Sequence, residues 1–353
     1  MHRLGRIGAV VLAVCALTIA AGTASAAPIE LKVIGSTSLD PLVKLWIPDY
    51  TASHPGVTIT SVPAGSGAGV EAVISGTAQI GLSDAYLSDE QAEQNPQLIN
   101  LPLAISARTI NYNIPEIGKQ TLKLDGPAIA GIYSGNIREW DSAEIKALNP
   151  GEALPHRTIV PIRREDASGA TFIFSQFLEF STPSWGDKVR SGMSIAWPNV
   201  PGEKAAVGNG GELEILAATP YGIAYIGISW EGDVTKAGLG TAMVKNQAGE
   251  FLLPTSETIS AAASELDART PPDERLTLVF APGPNSYPLI AYEYAVVSTR
   301  QRDPAVAAAI REFLKWAASP TGGHAAKYLD QVHFVELPLF LRAMNEKQIA
   351  QIK

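Results

Sequence analysis

Cysteine is all but absent from this chain. Its 353 residues hold one, Cys15, inside the apolar leader described below, so neither disulfides nor thiol chemistry supports the rest. Histidine is scarce and scattered (His2, His54, His156, His324, His333), and no two have metal-ligand spacing. No Lys/Arg-rich run appears, which removes nucleic acid and anionic membrane surfaces as partners. No GxxxxGK[ST] or GxGxxG stands at a strand–helix junction and no GxSxG occurs, so nucleotide sites and the hydrolase elbow lack their signatures. Beyond the leader no apolar stretch is long enough to span a membrane.

The leader itself is informative. Arg3 and Arg6 precede an apolar stretch, Ile7 to Ala21, and Ala24-Ser25-Ala26 offers a small-residue cleavage site. That order is a secretory signal. Val14 stands before Cys15, where a lipoprotein signal needs a small residue. Residues 1–26 are therefore expected to be removed and the mature chain to be periplasmic, or fully secreted. The leader carries two arginines and no acid, so its loss takes the net charge from −8 to about −10. An acidic chain does not attract anions from afar; any anion site must work through locally aimed donors.

What is present is one local design written three times. A short apolar strand runs into a Ser/Thr/Gly loop that opens an amphipathic helix, at Leu31–Trp46, Val57–Ile74 and Thr158–Phe174. Each loop places unpaired N–H groups and a hydroxyl at a helix start, which favours anions. One such loop, GSGAG included, is as well explained by close helix–sheet packing. Three at equivalent junctions point to a ligand beyond the C-terminal ends of the strands of an α/β sheet. Strand-like and helix-like segments alternate along the whole chain, and no linker divides it. The pattern predicts an N-cap at Asp40, a helix kinked or shortened at Pro48, a strand over Thr109–Ile114 crossing between two lobes, a polar loop over Gln91–Gln97 and a flexible loop at Gly208–Gly211.

Two further features carry chemistry. Arg163-Arg164-Glu165-Asp166 reads either as a solvated charge cluster or as an arginine aimed at an anion and oriented by Asp166. Asp84 follows a strand, where an aspartate is commonly a turn or cap residue. A carboxylate inside an anion site makes sense only for a ligand that brings a proton. Phosphate near neutrality carries at least one and sulfate none, and an unpaired buried polar group makes such discrimination large.

The blocks GSTSLDPL (Gly35–Leu42), AGSGAGV (Ala64–Val70), SGTAQIGLSDAYLSDEQ (Ser75–Gln91), IAGIYSGNIREWDSAEIKALNPG (Ile129–Gly151), IVPIRREDASGATFIF (Ile159–Phe174), TPYGIAYI (Thr219–Ile226) and REFLKWA (Arg311–Ala317) resemble the phosphate-binding proteins of bacterial ABC phosphate importers, the PstS family. The resemblance covers nearly all of the mature chain. It implies a type II periplasmic-binding-protein fold: two α/β lobes joined by two crossing strands, with a ligand cleft between them. One lobe would be residues 27–106 plus 287–353, the other 107–286 with the hinge crossings at its ends. It further implies inorganic phosphate held by Thr37, Ser38 and Ser66, with Asp84 accepting the phosphate proton. Arg164, held by Asp166, would donate to the anion, as would the Ser168-Gly169 helix start. Where the family has an aromatic residue after the first-loop threonine this chain has Ser38, and Ala170 stands where the family has a threonine. The expected protein is a monomer without cofactor, metal or catalytic residue that delivers phosphate to permease subunits in the inner membrane. The competing readings are a secreted phosphatase-like protein of the same fold, a binder of another oxyanion, and a sensor or adhesion protein that uses the closed shape.

Overall fold

The computed structural model describes residues 28–353; the expected leader and Cys15 lie outside the described residues. The strands in chain order are β1 (Ile29–Gly35), β2 (Val57–Pro63), β3 (Ile80–Ser83), β4 (Leu98–Tyr112), β5 (Lys123–Leu124), β6 (Val160–Arg164), β7 (Lys204–Ala206), β8 (Gly222–Gly227), β9 (Gly240–Thr241), β10 (Met243–Lys245), β11 (Phe251–Leu252) and β12 (Ile290–Ser298). They form a curled sheet in the order β2-β1-β3-β12-β4-β8-β6-β7, with β9 beside β4, and a small sheet β11-β10-β5. Helices pack against both, so the architecture is mixed α/β.

β4 organises the molecule. Residues Leu98 to Ala107 pair antiparallel with β12, and Arg108 to Tyr112 pair antiparallel with β8. The strand changes partner between Ala107 and Arg108 and divides the sheet into two halves. The first half holds β2, β1, β3, β12 and the start of β4; the second holds the end of β4, β8, β6 and β7. The crossing strand thus begins well before the expected Thr109. Pro102 is tolerated inside it because the ladder slips there: Glu293 faces Ala104 while Tyr294 faces Pro102, so an irregularity absorbs the missing N–H.

Within each half the strands that matter run parallel. β1 pairs parallel with β2 and β3, and β6 pairs parallel with β7 and β8. Their C-terminal ends therefore share one edge per half, and the loops leaving them meet there. Alternation makes the strands: Leu31 and Val33 of β1, and Val57 and Ile59 of β2, face the core while their neighbours face out. Trp46, Tyr50, Phe313 and Trp316 pack edge-to-face in the first half, and Phe174 stacks on Tyr225 at 4.2 Å in the second.

Several local expectations are corrected. The helix Asp40–Ser53 runs through Pro48, which lies on its exposed face, so the carbonyl left without a partner is open to water. Its N-cap is Leu39; Asp40 is already helical and accepts a hydrogen bond from the Ser61 hydroxyl (2.7 Å) while pairing with Lys44 (2.7 Å). The polar stretch after Ser88 forms a helix, Asp89–Gln94, because Ser88 and Gln91 make a reciprocal capping box. Gly208–Gly211 is the first turn of the helix Gly208–Ala217 rather than a loop. Its geometry is pinned by Asn209, whose side chain bonds to both halves of the molecule, as described next.

Candidate functional site

The loops of the first half are tied to one another before they meet the second. Gly35 takes φ +143°, and its carbonyl accepts the N–H groups of Ala64 and Gly65 (2.9 Å each), fastening the β1 loop to the β2 loop. A β-carbon at 35 would run into the Leu82 backbone, so only glycine allows this approach. The Ser36 N–H donates to the Leu82 carbonyl (2.9 Å), which fastens the β1 loop to β3.

Asp84, buried at the end of β3, is the focus of these contacts. The Ser36 hydroxyl donates to its Oδ1. Its own N–H donates to the Ser66 hydroxyl (3.2 Å). Its Oδ2 pairs with the Arg108 guanidinium at 2.8 Å. Arg108 is fully buried at the point where β4 changes partner, and it also donates to Glu293 of β12 (3.0 Å). Burial alone would push both acids up. For Asp84 the guanidinium, the neighbouring Glu293 carboxyl and the Ser36 hydroxyl outweigh burial and hold the carboxyl below its ordinary range. For Glu293 burial and the Asp84 charge prevail and push it well above. The two carboxyls are thus driven apart, Asp84 toward the ionised form and Glu293 toward the protonated one.

The second half presents Arg164 at the end of β6. Its Nε donates to Asp166 Oδ1 (2.7 Å) and its Nη2 donates to Asp166 Oδ2. The planar fork is thereby fixed, and Nη1 makes no hydrogen bond among the described residues. Ser168 caps the helix Gly169–Ser181; its hydroxyl accepts the N–H groups of Ala170 (3.1 Å) and Thr171 (3.4 Å). The Thr171 hydroxyl is engaged with the Tyr225 hydroxyl (2.8 Å).

The two halves meet on these residues. The Gly67 N–H donates to the Ala167 carbonyl at 3.0 Å. The Thr37 hydroxyl accepts from the Asn209 backbone N–H (3.1 Å) and from its side-chain amide (2.8 Å), while Asn209 Oδ1 accepts the Gly227 N–H (2.7 Å). The Trp230 indole donates to the Thr37 carbonyl (3.0 Å), and the Ser229 hydroxyl donates to the Ser38 carbonyl (2.8 Å). The Ser38 N–H is taken by the Ser36 hydroxyl (3.1 Å). The Ser38 hydroxyl is buried without a partner.

One pattern recurs around this seam. The hydroxyls of Thr37, Ser66 and Ser168 each accept an N–H, which fixes their orientation, and none of their own protons has an acceptor among the described residues. With Ser38 and Arg164 Nη1 they form a set of donors, drawn from both halves, that have no acceptor among the described residues, and the Ser66 hydroxyl lies against Asp84. All eight residues singled out from the sequence lie along this seam. Sequence reasoning missed Ser36, Arg108, Asn209, Glu212 and Glu293. A lone arginine inside the apolar run LPLAISARTINY, and a glutamate inside IAYEYAVVS, were the available signals.

No helix of the described residues is long and apolar enough to cross a membrane, and no three His, Cys, Asp or Glu among them gather as a metal site would require.

A family description, the PBP superfamily domain, matches residues 21–321. The periplasmic phosphate-binding protein PfluDING, solved bound with phosphate at pH 8.5, aligns with a TM-score of 0.71 at 20% identity, covering 89% of this chain and 92% of that one. A phosphate-binding protein from Stenotrophomonas maltophilia aligns at 0.68 and 18% identity, covering 90% and 93%. The fold is thus the type II periplasmic-binding-protein fold. Closer in sequence, the phosphate-binding protein PstS of Methanocaldococcus jannaschii is 35% identical over 306 residues, covering 82% of this chain and 78% of that protein. PstS of Haemophilus influenzae is 30% identical over 292 residues, covering 83% and 85%. The chain belongs to the PstS family of phosphate-binding proteins.

Proposed function

We propose that this chain binds inorganic phosphate between its two halves and hands it to an ABC-type permease. The halves act as lobes, residues 28–106 with 287–353 and residues 107–286, and β4 with the return at β12 acts as the hinge. What carries the reading is the set of unspent donors, Thr37, Ser38, Ser66, Ser168 and Arg164, split between the halves, with buried Asp84 against Ser66 in the first. A tetrahedral oxyanion accepts from all of them. Asp84 still has lone pairs free after Ser36 and Arg108, and it accepts the one proton that phosphate brings. Sulfate brings none, so the remaining Asp84 lone pairs are set against the anion with no proton between them. Asp166 and Gly169 serve the second lobe, the first by holding Arg164 and the second by letting the helix start reach the seam.

Binding and closure are one event in this scheme. Donors from a single lobe leave the anion half-solvated; only apposition completes the cage, so phosphate stabilises the closed arrangement by its differential affinity. No bond is made or broken. The chain works outside the cytoplasmic membrane, where the leader directs it, and the closed pair of lobes is the form the permease receives.

Trp230 provides the test, since its indole bonds to Thr37 across the seam. Phosphate added to the purified protein should change tryptophan emission saturably, and Trp230→Phe should remove most of that change while leaving binding heat measurable. A protein whose emission and scattering radius ignore phosphate would defeat the proposal.

A further inference from the structure

Glu212 takes no part in the scheme above, yet it stands beside the anion donor of the second half. It lies in the helix Gly208–Ala217, fully buried, and neither carboxyl oxygen has a hydrogen-bond partner. The nearest cation is Arg164 Nη1, 3.9 Å from Glu212 Oε2. That nitrogen is the one end of the guanidinium that Asp166 leaves free. An ionised Glu212 would compete for it and set a second negative charge against an incoming anion. A protonated Glu212 leaves Nη1 to the anion and adds an O–H donor.

The groups facing Glu212 decide between these forms. Arg164 of β6 and Asp166 after it have opposite charges and are already paired. Arg108 of β4 acts from further off and is shared between Asp84 and Glu293. Tyr225 of β8 and Tyr133 of the helix Gly126–Tyr133 are buried phenols, both pushed upward and neutral, and Tyr133 donates to the Ile162 carbonyl at 3.0 Å. Lys204 of β7, which also packs against this helix, is exposed and its ammonium donates to the Thr219 hydroxyl (2.7 Å). Against the two guanidiniums, burial prevails and pushes the Glu212 carboxyl well above its ordinary range.

We propose that Glu212 is a specificity-determining residue that takes up a proton as the halves close on phosphate, so that the site reads proton content twice, once at Asp84 and once at Arg164. The proposal rests on the phosphate reading of this seam. With the halves apart, water reaches Glu212 and the carboxyl is ionised; closure expels the water and the carboxyl protonates. Phosphate affinity should therefore fall as pH rises, and binding should draw protons from the buffer.

The experiment is titration calorimetry of the purified protein with inorganic phosphate, in two buffers of different ionisation heat, between pH 6 and 9. Wild type should take up close to one proton more per phosphate than Glu212→Gln, and the affinity of Glu212→Gln should vary less with pH, its affinity exceeding wild type at the alkaline end. Equal proton counts and parallel pH profiles would overturn the proposal. So would a Glu212→Gln protein that fails to fold, because an isosteric neutral side chain is tolerated if the native carboxyl is itself neutral. Glu212→Leu, which can neither donate nor ionise, should keep the flattened profile with lower affinity. Absence of phosphate heat in wild type would instead reject the phosphate reading itself, which keeps the two failures distinct.

Discussion

Gly169, the first residue of its helix, lies flat against Asp84 of the opposite half: a β-carbon at 169 would stand 2.7 Å from the Asp84 Cβ and 2.6 Å from the Ser66 hydroxyl. The two loops approach as closely as backbone permits, and a single methyl group decides whether the seam closes. Gly169→Ala should fold normally, because the helix interior is unaffected. Overpacking the closed form costs about 1–3 kcal/mol, so phosphate affinity should drop roughly five- to 150-fold. Calorimetry beside a melting curve checks both halves of the statement.

Asp84 is held ionised by Arg108 despite complete burial. Asp84→Asn substitutes a donor where the account needs an acceptor. Phosphate binding should weaken by about 1.5–3 kcal/mol, the worth of a hydrogen bond to a charged group. Sulfate, no longer repelled, should lose much less or gain. Paired titrations of the variant with the two anions report this directly, and unchanged selectivity would remove Asp84 from its role.

Asp166 holds Arg164 through two parallel N–H···O bonds and also accepts the Gly208 N–H at 3.2 Å. It is partly exposed, so its removal should disturb the fold little. Asp166→Asn should free the guanidinium to turn toward Glu212 and lower phosphate affinity by about tenfold, near 1.4 kcal/mol. A melting temperature within a few degrees of wild type would separate this positioning effect from unfolding.

Much of this was legible in the sequence, and the reason is local. GSTSLDPL, AGSGAGV and RREDASGATF encode strand, turn and helix start within a few residues, so Thr37, Ser66, Arg164, Asp166 and Ser168 announce themselves through turn chemistry, and Asp84 does so as the acid at the end of the strand in SGTAQIGLSDAYLSDEQ. Arg108 and Glu293 did not. Their pairing depends on the register of β4 against β12, the two residues standing 185 positions apart, and the ladder irregularity at Glu293 shows how little the local pattern constrains it. Ser36 is one of three hydroxyl-bearing residues in a row, and only its burial against Asp84 singles it out. Asn209 lay in a glycine-rich stretch that reads as a loop by composition; contact with Thr37 and Asp166 makes it helical, and only burial singles out Glu212 just beyond it. The long strand β4 likewise hides behind Pro102, a residue that normally ends one.

Glu274 supplies a pH prediction away from the seam. It sits at φ +60° with its carboxyl buried and both oxygens unpartnered. Burial, aided by the Asp273 charge, pushes it from 4.5 up to about 8. Between those values the folded protein keeps a proton that the unfolded chain has released. Its contribution to stability is therefore whole below the lower value and lost as pH rises through the upper one. Glu274→Gln removes that dependence. Relative to wild type it should gain stability steadily across the window, by about 2–4 kcal/mol at its alkaline end. Urea denaturation of both proteins at three pH values measures the difference.

The central claim is that donors from two halves close on an oxyanion that still carries a proton. Calorimetric titration of the purified protein at neutral pH, with inorganic phosphate and then with sulfate, tests it most directly. The account predicts a saturable one-to-one heat with phosphate and none with sulfate at the same concentration. Equal binding of the two anions, or heat from sulfate alone, would contradict it.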